Sequence, residues 1–213
     1  MKARSRTYAN IEELRAEFDT RRDAIRARLR EFEAVSPDDY FYELVYCLLT
    51  PQSSAVNAGK AVAVLRHSDL LHNQFDVAPL LHQDGFYIRF HHTKAKHVNE
   101  AKWKFPEIQS HLVNGTSSIR LREWLVHNVK GLGWKEASHF LRNIGHRNLA
   151  ILDRHILRNL KKHNVLPTLP RTLTPKRYLA TEMKFARFAD AVGITMDELD
   201  LLFWSRETGE ILK

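Results

Sequence analysis

The sequence contains a single cysteine, Cys47, which lies in the apolar segment YFYELVYCLL. One cysteine excludes an internal disulfide, and it also excludes a cysteine-ligated zinc site or iron–sulfur cluster. Because the surrounding segment is apolar, we expect Cys47 to be a buried, inert thiol. This cysteine usage fits a reducing compartment.

Long apolar runs and strand-like patterns are also missing. No run approaches the roughly 20 residues of a membrane-spanning helix. The basic segment MKARSRTYAN lacks the apolar stretch of a secretory signal. We find no convincing alternation of apolar and polar residues, so we predict no strand. We also find no internal repeat. These absences favour a cytoplasmic protein that does not enter membranes.

What the chain does have is positive charge. Its 33 lysines and arginines exceed its 25 acidic residues, which gives a formal net charge of +8 and a pI near 9.7. A hydrophobic content of 44% within 213 residues is enough for a real core. The basic balance favours a polyanionic partner, most often nucleic acid. The alternative is a basic protein without such a partner.

Apolar residues recur with helical spacing along nearly the whole chain. An amphipathic stripe comprises Ile11, Leu14, Phe18, Ile25, Leu29 and Phe32. Ser36 and Pro37 are typical of a helix start and precede a segment apolar on most sides, which we expect to be a buried central helix. Residues 68–88 read as irregular, with short helical pieces. The predicted helices are 40–49, 54–66, 92–112, 117–129, 134–144, 153–163, 175–192 and 196–207.

The segment VKGLG joins two of these helices and is typical of a helix–hairpin–helix motif. Gly131 and Gly133 permit left-handed or crowded backbone, and their amides could approach a phosphate closely. The helix from Trp134 would present its free N–H groups to the same phosphate. Such a hairpin grips a DNA backbone without reading bases. The alternative is a tight turn between two packed helices.

Lys135 and Asp153 extend this pattern. Lys135 follows the glycine turn directly, and Asp153 stands at the predicted start of the next helix. VKGLGWKEASHFLRNIG with ILDRHIL closely resembles the helix–hairpin–helix DNA glycosylase superfamily. Within that superfamily, the chain is similar to the small 8-oxoguanine DNA glycosylase/AP lyases of archaea and thermophilic bacteria. The segments that carry this finer likeness are KGLGWKEASHFLRN and ETGEILK. ELVYCLLTPQSSAVNAGKAV resembles the superfamily's buried helix and following loop, so the likeness runs from about residue 36 onward.

The helical periodicity predicts an all-α fold, and the resemblance implies two helical lobes with an active-site cleft between them. We expect a core lobe with the hairpin at 35–147, and a second lobe formed by 1–34 plus 148–213. The implied partner is double-stranded DNA containing 8-oxoguanine, bound by a monomer without a cofactor. The implied activity is excision of 8-oxoguanine followed by nicking of the strand. The alternatives are a glycosylase for another damaged or mismatched base and a non-catalytic DNA-binding module.

The resemblance also implies roles for individual residues. Lys135 would attack the deoxyribose C1′, and Asp153 would stabilise positive charge on the sugar, although Asp153 could also be only an N-cap. Both roles are compatible, because one carboxylate oxygen can cap while the other faces the cleft. On chemistry alone, Lys130 is an alternative candidate for the nucleophile. Its place before the glycines favours a contact with the DNA backbone instead. His155 would contact a phosphate, and the alternative is a solvent-exposed imidazole.

Extruding a base requires something to fill the gap in the duplex and a pocket for the base. Gln52 in the loop TPQSS is the wedge candidate, against an ordinary loop glutamine. The resemblance implies Trp204 and Phe90 as pocket walls and places Lys213 in the base pocket. The histidines of HHTKAKH, including His92 and His97, have poor ligand spacing and no companion carboxylate, so we predict no metal site.

Overall fold

The computed structural model describes residues 7–211, apart from the side chain of Thr208. Within this range it contains nine α-helices and one two-stranded hairpin, so the predicted all-α class is confirmed. The helices are α1 Ile11–Glu33, α2 Tyr40–Leu49, α3 Ala55–His67, α4 His91–Val113, α5 Ser118–Asn128, α6 Trp134–Asn143, α7 Arg154–Lys162, α8 Pro175–Val192 and α9 Met196–Thr208. No described helix is long and apolar enough to cross a membrane.

The chain divides into two compact units. One unit comprises Met1–Glu33 and Gly145–Lys213, as far as these segments are described, and the other comprises Ala34–Ile144.

In the unit Ala34–Ile144, helix α2 is central and packs against α3, α4 and α6. All residues from Phe41 to Leu49 are buried, which confirms the predicted central helix. Cys47 is buried and forms no disulfide, as expected. The start signal at Ser36 produces a 3-10 turn, Pro37–Asp39, directly before α2.

The prediction of no strand is wrong at one place. Residues His82–Gln83 (β1) and Phe86–Tyr87 (β2) pair antiparallel. The turn between them contains Asp84 and Gly85, and Gly85 has φ +91°. Asp-Gly between short strands is a hairpin signal, but strands of two residues are too short to show alternation. The neighbouring 3-10 helix Ala78–Leu81 agrees with the short helical piece expected in this region.

In the other unit, helix α9 is central and packs against α1, α7 and α8. Its apolar face includes Leu199, Leu202 and Phe203, all fully buried. A capping box formed by Thr195 and Glu198 begins the helix. These contacts fix α9 beside α7, and the two helices carry Trp204 and Asp153 respectively.

Candidate active site

The hairpin between α5 and α6 requires glycine at position 131. Gly131 has φ +90°, and a β-carbon there would lie 2.5 Å from Nδ1 of His97 and 3.1 Å from Cδ2 of Leu48. Gly133 has extended backbone at φ −87°, but a β-carbon there would lie 2.9 Å from Oε2 of Glu136. The left-handed residue is therefore Gly131, whereas the atom that a β-carbon at Gly133 would meet is the end of a flexible side chain.

Helix α6 begins without a side-chain cap. Gly133 is the N-cap residue of α6 and supplies no side-chain hydrogen bond, so the first N–H groups of the helix lack a side-chain acceptor from the cap. Helix N-termini of this kind attract phosphate. The Lys130 side chain beside the turn is 69% exposed, with Nζ 3.4 Å from Oε2 of Glu100. This pair is weak enough for a phosphate to displace.

Lys135 is the second residue of α6. Its side chain is one-third exposed, and Nζ lies 3.2 Å from Oε1 of Glu136. Glu136 was not among the predicted site residues, because a glutamate in the first turn of a helix is common there for electrostatic reasons. Its carboxylate is mostly buried and holds the lysine amine at the helix start.

Asp153 is the N-cap of α7, which confirms the capping interpretation. Its Oδ1 accepts hydrogen bonds from the backbone N–H groups of His155 and Ile156, each at 2.8 Å. Within residues 7–211, Oδ2 accepts no hydrogen bond, so one oxygen caps while the other is available to a ligand. Lys135 and Asp153 belong to different units, and their convergence in one cleft stays a prediction.

His155 is not the solvent-exposed imidazole of the alternative interpretation. Its side chain is only 13% exposed, with Nδ1 3.1 Å from Oε2 of Glu207. Nε2 accepts a hydrogen bond from Nε of Arg154 at 3.1 Å. The ring also packs against Trp204 at a centroid distance of 5.0 Å. His155 and Trp204, two predicted site residues, are therefore in direct contact.

Gln52 and Phe90 share an unusual backbone. Gln52 has φ +57° and Phe90 has φ +59°, both in the left-handed region that residues with a β-carbon rarely adopt. Both side chains are exposed, and half of the Phe90 surface is accessible. Backbone strain of this kind clusters at ligand-binding sites, which supports a functional role for each.

Lys94 was missed by the sequence interpretation. It is only 6% exposed, and its Nζ donates to the carbonyl oxygens of Leu49 and Pro51 at 2.6 Å each and to Oγ of Ser53 at 3.1 Å. Burial lowers the pKa of Lys94 to about 8; the negative charge of Glu136 opposes this shift, and the positive charge of Lys135 adds to it. No local signal distinguishes Lys94 from the surface lysines of α4, since its acceptors lie over forty positions earlier in the chain.

The remaining predictions concern the C-terminus and metals. Lys213 lies outside the described residues. Among the residues that the structure describes, no group of three or more His, Cys, Asp or Glu side chains could hold a metal ion.

Comparison with known proteins decides the family. A family model described as 8-oxoguanine DNA glycosylase matches residues 25–194. The chain belongs to the 8-oxoguanine DNA glycosylase family. The matched region contains the hairpin, helix α6, Asp153 and the Gln52 turn.

Individual relatives agree with this assignment. A protein of Fusobacterium nucleatum named 8-oxoguanine DNA glycosylase/AP lyase is 43% identical over 198 residues, covering 88% of this chain and 90% of the relative. The protein of the same name from Korarchaeum cryptofilum is 40% identical, covering 90% and 91%.

Solved structures of the family share the fold over nearly the full length. The 8-oxoguanine DNA glycosylase of Thermotoga maritima matches with a TM-score of 0.83 at 32% identity, covering 96% of this chain and 100% of that one. The Methanocaldococcus jannaschii 8-oxoguanine glycosylase/lyase, solved with a 15mer DNA containing 8-oxoguanine, matches with a TM-score of 0.82 at 31% identity, covering 94% and 100%. The recognised family and the fold class are thus both confirmed.

Proposed function

We propose that this protein is a bifunctional 8-oxoguanine DNA glycosylase/AP lyase that uses Lys135 as its nucleophile. The observation that carries the proposal is the position of Lys135 directly after the glycine turn, at the start of α6, in a chain of this family. A lysine in this place supplies covalent chemistry that a DNA-gripping hairpin alone does not need.

The reaction begins when the free amine of Lys135 attacks C1′ of the damaged nucleotide. The N–C1′ bond forms as the glycosidic bond breaks, and the departing 8-oxoguanine takes up a proton. The ring oxygen O4′ then takes up a proton as the C1′–O4′ bond breaks, and the nitrogen lone pair forms the C=N bond of a protonated Schiff base. Removal of a proton from C2′ then expels the 3′ phosphate by β-elimination, which nicks the strand.

Glu136 and Asp153 support this chemistry in different ways. Oε1 of Glu136, 3.2 Å from Nζ of Lys135, forms an ion pair with the lysine and keeps its amine at the start of α6. Asp153 keeps Oδ2 free of hydrogen bonds from residues 7–211 while Oδ1 caps α7. The free oxygen would stabilise the positive charge that develops on the sugar.

DNA binding would use the backbone rather than the bases. The turn at Gly131 and Gly133 and the exposed side chain of Lys130 would hold one phosphate group, with His155 on a second. The net charge of +8 supplies the long-range attraction. We propose that the protein acts on double-stranded DNA as a monomer in the prokaryotic cytoplasm.

The extruded nucleotide would be held by aromatic side chains. Trp204 and Phe90 are the proposed walls of the base pocket, and Lys213 is proposed to enter it. Gln52 is the proposed wedge, since its exposed side chain projects from a tight turn.

A cleavage assay tests the proposal. The protein is incubated with duplexes that carry 8-oxoguanine opposite cytosine, an oxidised pyrimidine, adenine opposite 8-oxoguanine, or a preformed abasic site. We expect nicking at 8-oxoguanine and at the abasic site. Preferred cleavage of the pyrimidine or adenine duplex would indicate a different target base. Binding without any cleavage would indicate that the protein is a non-catalytic DNA-binding module.

A further inference from the structure

The turn that carries Gln52 is held by a buried cation. Residues Thr50 to Ser53 form a tight turn closed by a hydrogen bond from the Ser53 N–H to the Thr50 carbonyl at 3.0 Å. Pro51 is its second residue and Gln52 its third, with φ +57° at Gln52. Positive φ at the third residue is a feature of the type II turn, which prefers glycine or asparagine there. Gln52 therefore adopts a conformation that its own side chain disfavours.

The contacts of Lys94 explain why the turn keeps this conformation. Type I and type II turns differ by a flip of the peptide between the second and third residues. The carbonyl of that peptide belongs to Pro51, and it accepts a hydrogen bond from Lys94 Nζ at 2.6 Å. A flip to the type I form would move this oxygen away from the ammonium group and leave a buried cation without one of its partners.

Lys94 also makes two further contacts that fix its own position. Its Nζ donates to the carbonyl of Leu49, the last residue of α2, where a cation complements the negative end of the helix. It donates in addition to Oγ of Ser53, which accepts the backbone N–H of Arg89 at 3.0 Å. One side chain thus ties the Gln52 turn to the segment that ends in Phe90.

We propose that Lys94 is a positioning residue for nucleotide extrusion, because it selects the turn conformation that aims Gln52 outward and holds the Phe90 segment beside it. This inference rests on the proposed function. It predicts that loss of the Lys94 ammonium slows excision of a lesion that must be extruded from an intact base stack. Nicking at a site that has no base to remove should change little.

The test compares two substrates under single-turnover conditions. Lys94→Met is expected to slow excision from the 8-oxoguanine–cytosine duplex at least tenfold, while nicking at a preformed abasic site stays within threefold of wild type. Lys102→Met is the matched control, because Lys102 of the same helix also donates to a backbone carbonyl, that of Asn73, outside the turn. It should match wild type on both substrates.

A double variant separates positioning from general damage to the fold. If Lys94 acts through Gln52, adding Lys94→Met to Gln52→Ala should lower excision by less than threefold beyond the worse single change. If Lys94→Met does not fold, Ser53→Ala removes one acceptor and the Arg89 link. That variant should show the same substrate difference, with at least a threefold loss of excision.

Three results would overturn the inference. Equal losses on both substrates would show that Lys94 only supports the fold or acts on Lys135. Unchanged excision would show that the turn keeps its conformation without Lys94, and full additivity with Gln52→Ala would show that the two residues act separately. Wild-type protein inactive on both duplexes would instead contradict the proposed function, and the inference with it.

Discussion

Substitutions at Asp153 should separate helix capping from chemistry. Asparagine is as good an N-cap as aspartate, because its amide oxygen can accept the same two bonds from His155 and Ile156. It loses only the attraction between a carboxylate and the helix start, about 0.3–1 kcal/mol. Alanine loses both capping bonds, which costs about 0.5–2 kcal/mol. For a chain of this size each kcal/mol lowers Tm by about 2–4 °C.

The two variants should not differ in catalytic activity as they differ in stability. Both changes remove the negative charge proposed to stabilise the sugar cation, and one preorganised electrostatic contact of this kind contributes about 10²–10³-fold to the rate. Asp153→Asn should therefore lose about as much activity as Asp153→Ala while remaining more stable than it. Single-turnover excision of 8-oxoguanine and thermal melting by circular dichroism measure the two effects on the same samples.

Either of two results would refute this reasoning. Excision by Asp153→Asn within threefold of wild type would mean that Asp153 is only a cap. Equal destabilisation by asparagine and alanine would mean that the two bonds to Oδ1 do not control the stability of α7.

Three further predictions concern backbone strain, packing and charge. Gly131→Ala should destabilise the fold by at least about 2 kcal/mol, from left-handed backbone and the contact with His97; it should also weaken DNA binding, measured by fluorescence anisotropy, and unchanged stability would contradict the crowding. Phe90→Gly should relieve strain at φ +59° but lose the packing of the ring against Arg89, so stability should change little, while excision falls at least tenfold; excision within threefold of wild type would contradict a role for the ring in the base pocket. Because burial lowers the pKa of Lys94 to about 8, the unfolded chain binds more protons between pH 8 and about 10.4, so stability should rise across this window by up to about 3 kcal/mol relative to Lys94→Met. Urea unfolding at several pH values checks this, and a constant difference between the two proteins would contradict it.

Most of the fold could be predicted because the helix signals are local. Thr174 and Pro175 mark the start of α8, and the observed helix Pro175–Val192 has the predicted bounds. The apolar stripe from Ile11 predicted α1, which spans Ile11–Glu33. The hairpin at Asp84 and Gly85 was missed, because two-residue strands carry no periodicity of their own.

The site could be predicted only where its residues stand together in the sequence. The glycine turn, Lys135 and the cap at Asp153 lie in short contiguous motifs, so sequence patterns are sufficient to propose them. The turn at Gln52 is bonded to Lys94, and the segment before Phe90 is bonded to Ser53. Those bonds join segments distant in sequence, and nothing in the local pattern around Lys94 indicates that it is buried.

The central claim is that the Lys135 amine forms the covalent bond to DNA. Borohydride reduction during reaction with the 8-oxoguanine duplex should trap a protein–DNA adduct that resists denaturation. Lys135→Gln should abolish the adduct while its DNA affinity stays within about threefold of wild type, whereas Lys130→Gln should still form it. An adduct of normal yield with Lys135→Gln, or none with wild-type protein on any substrate, would contradict the account.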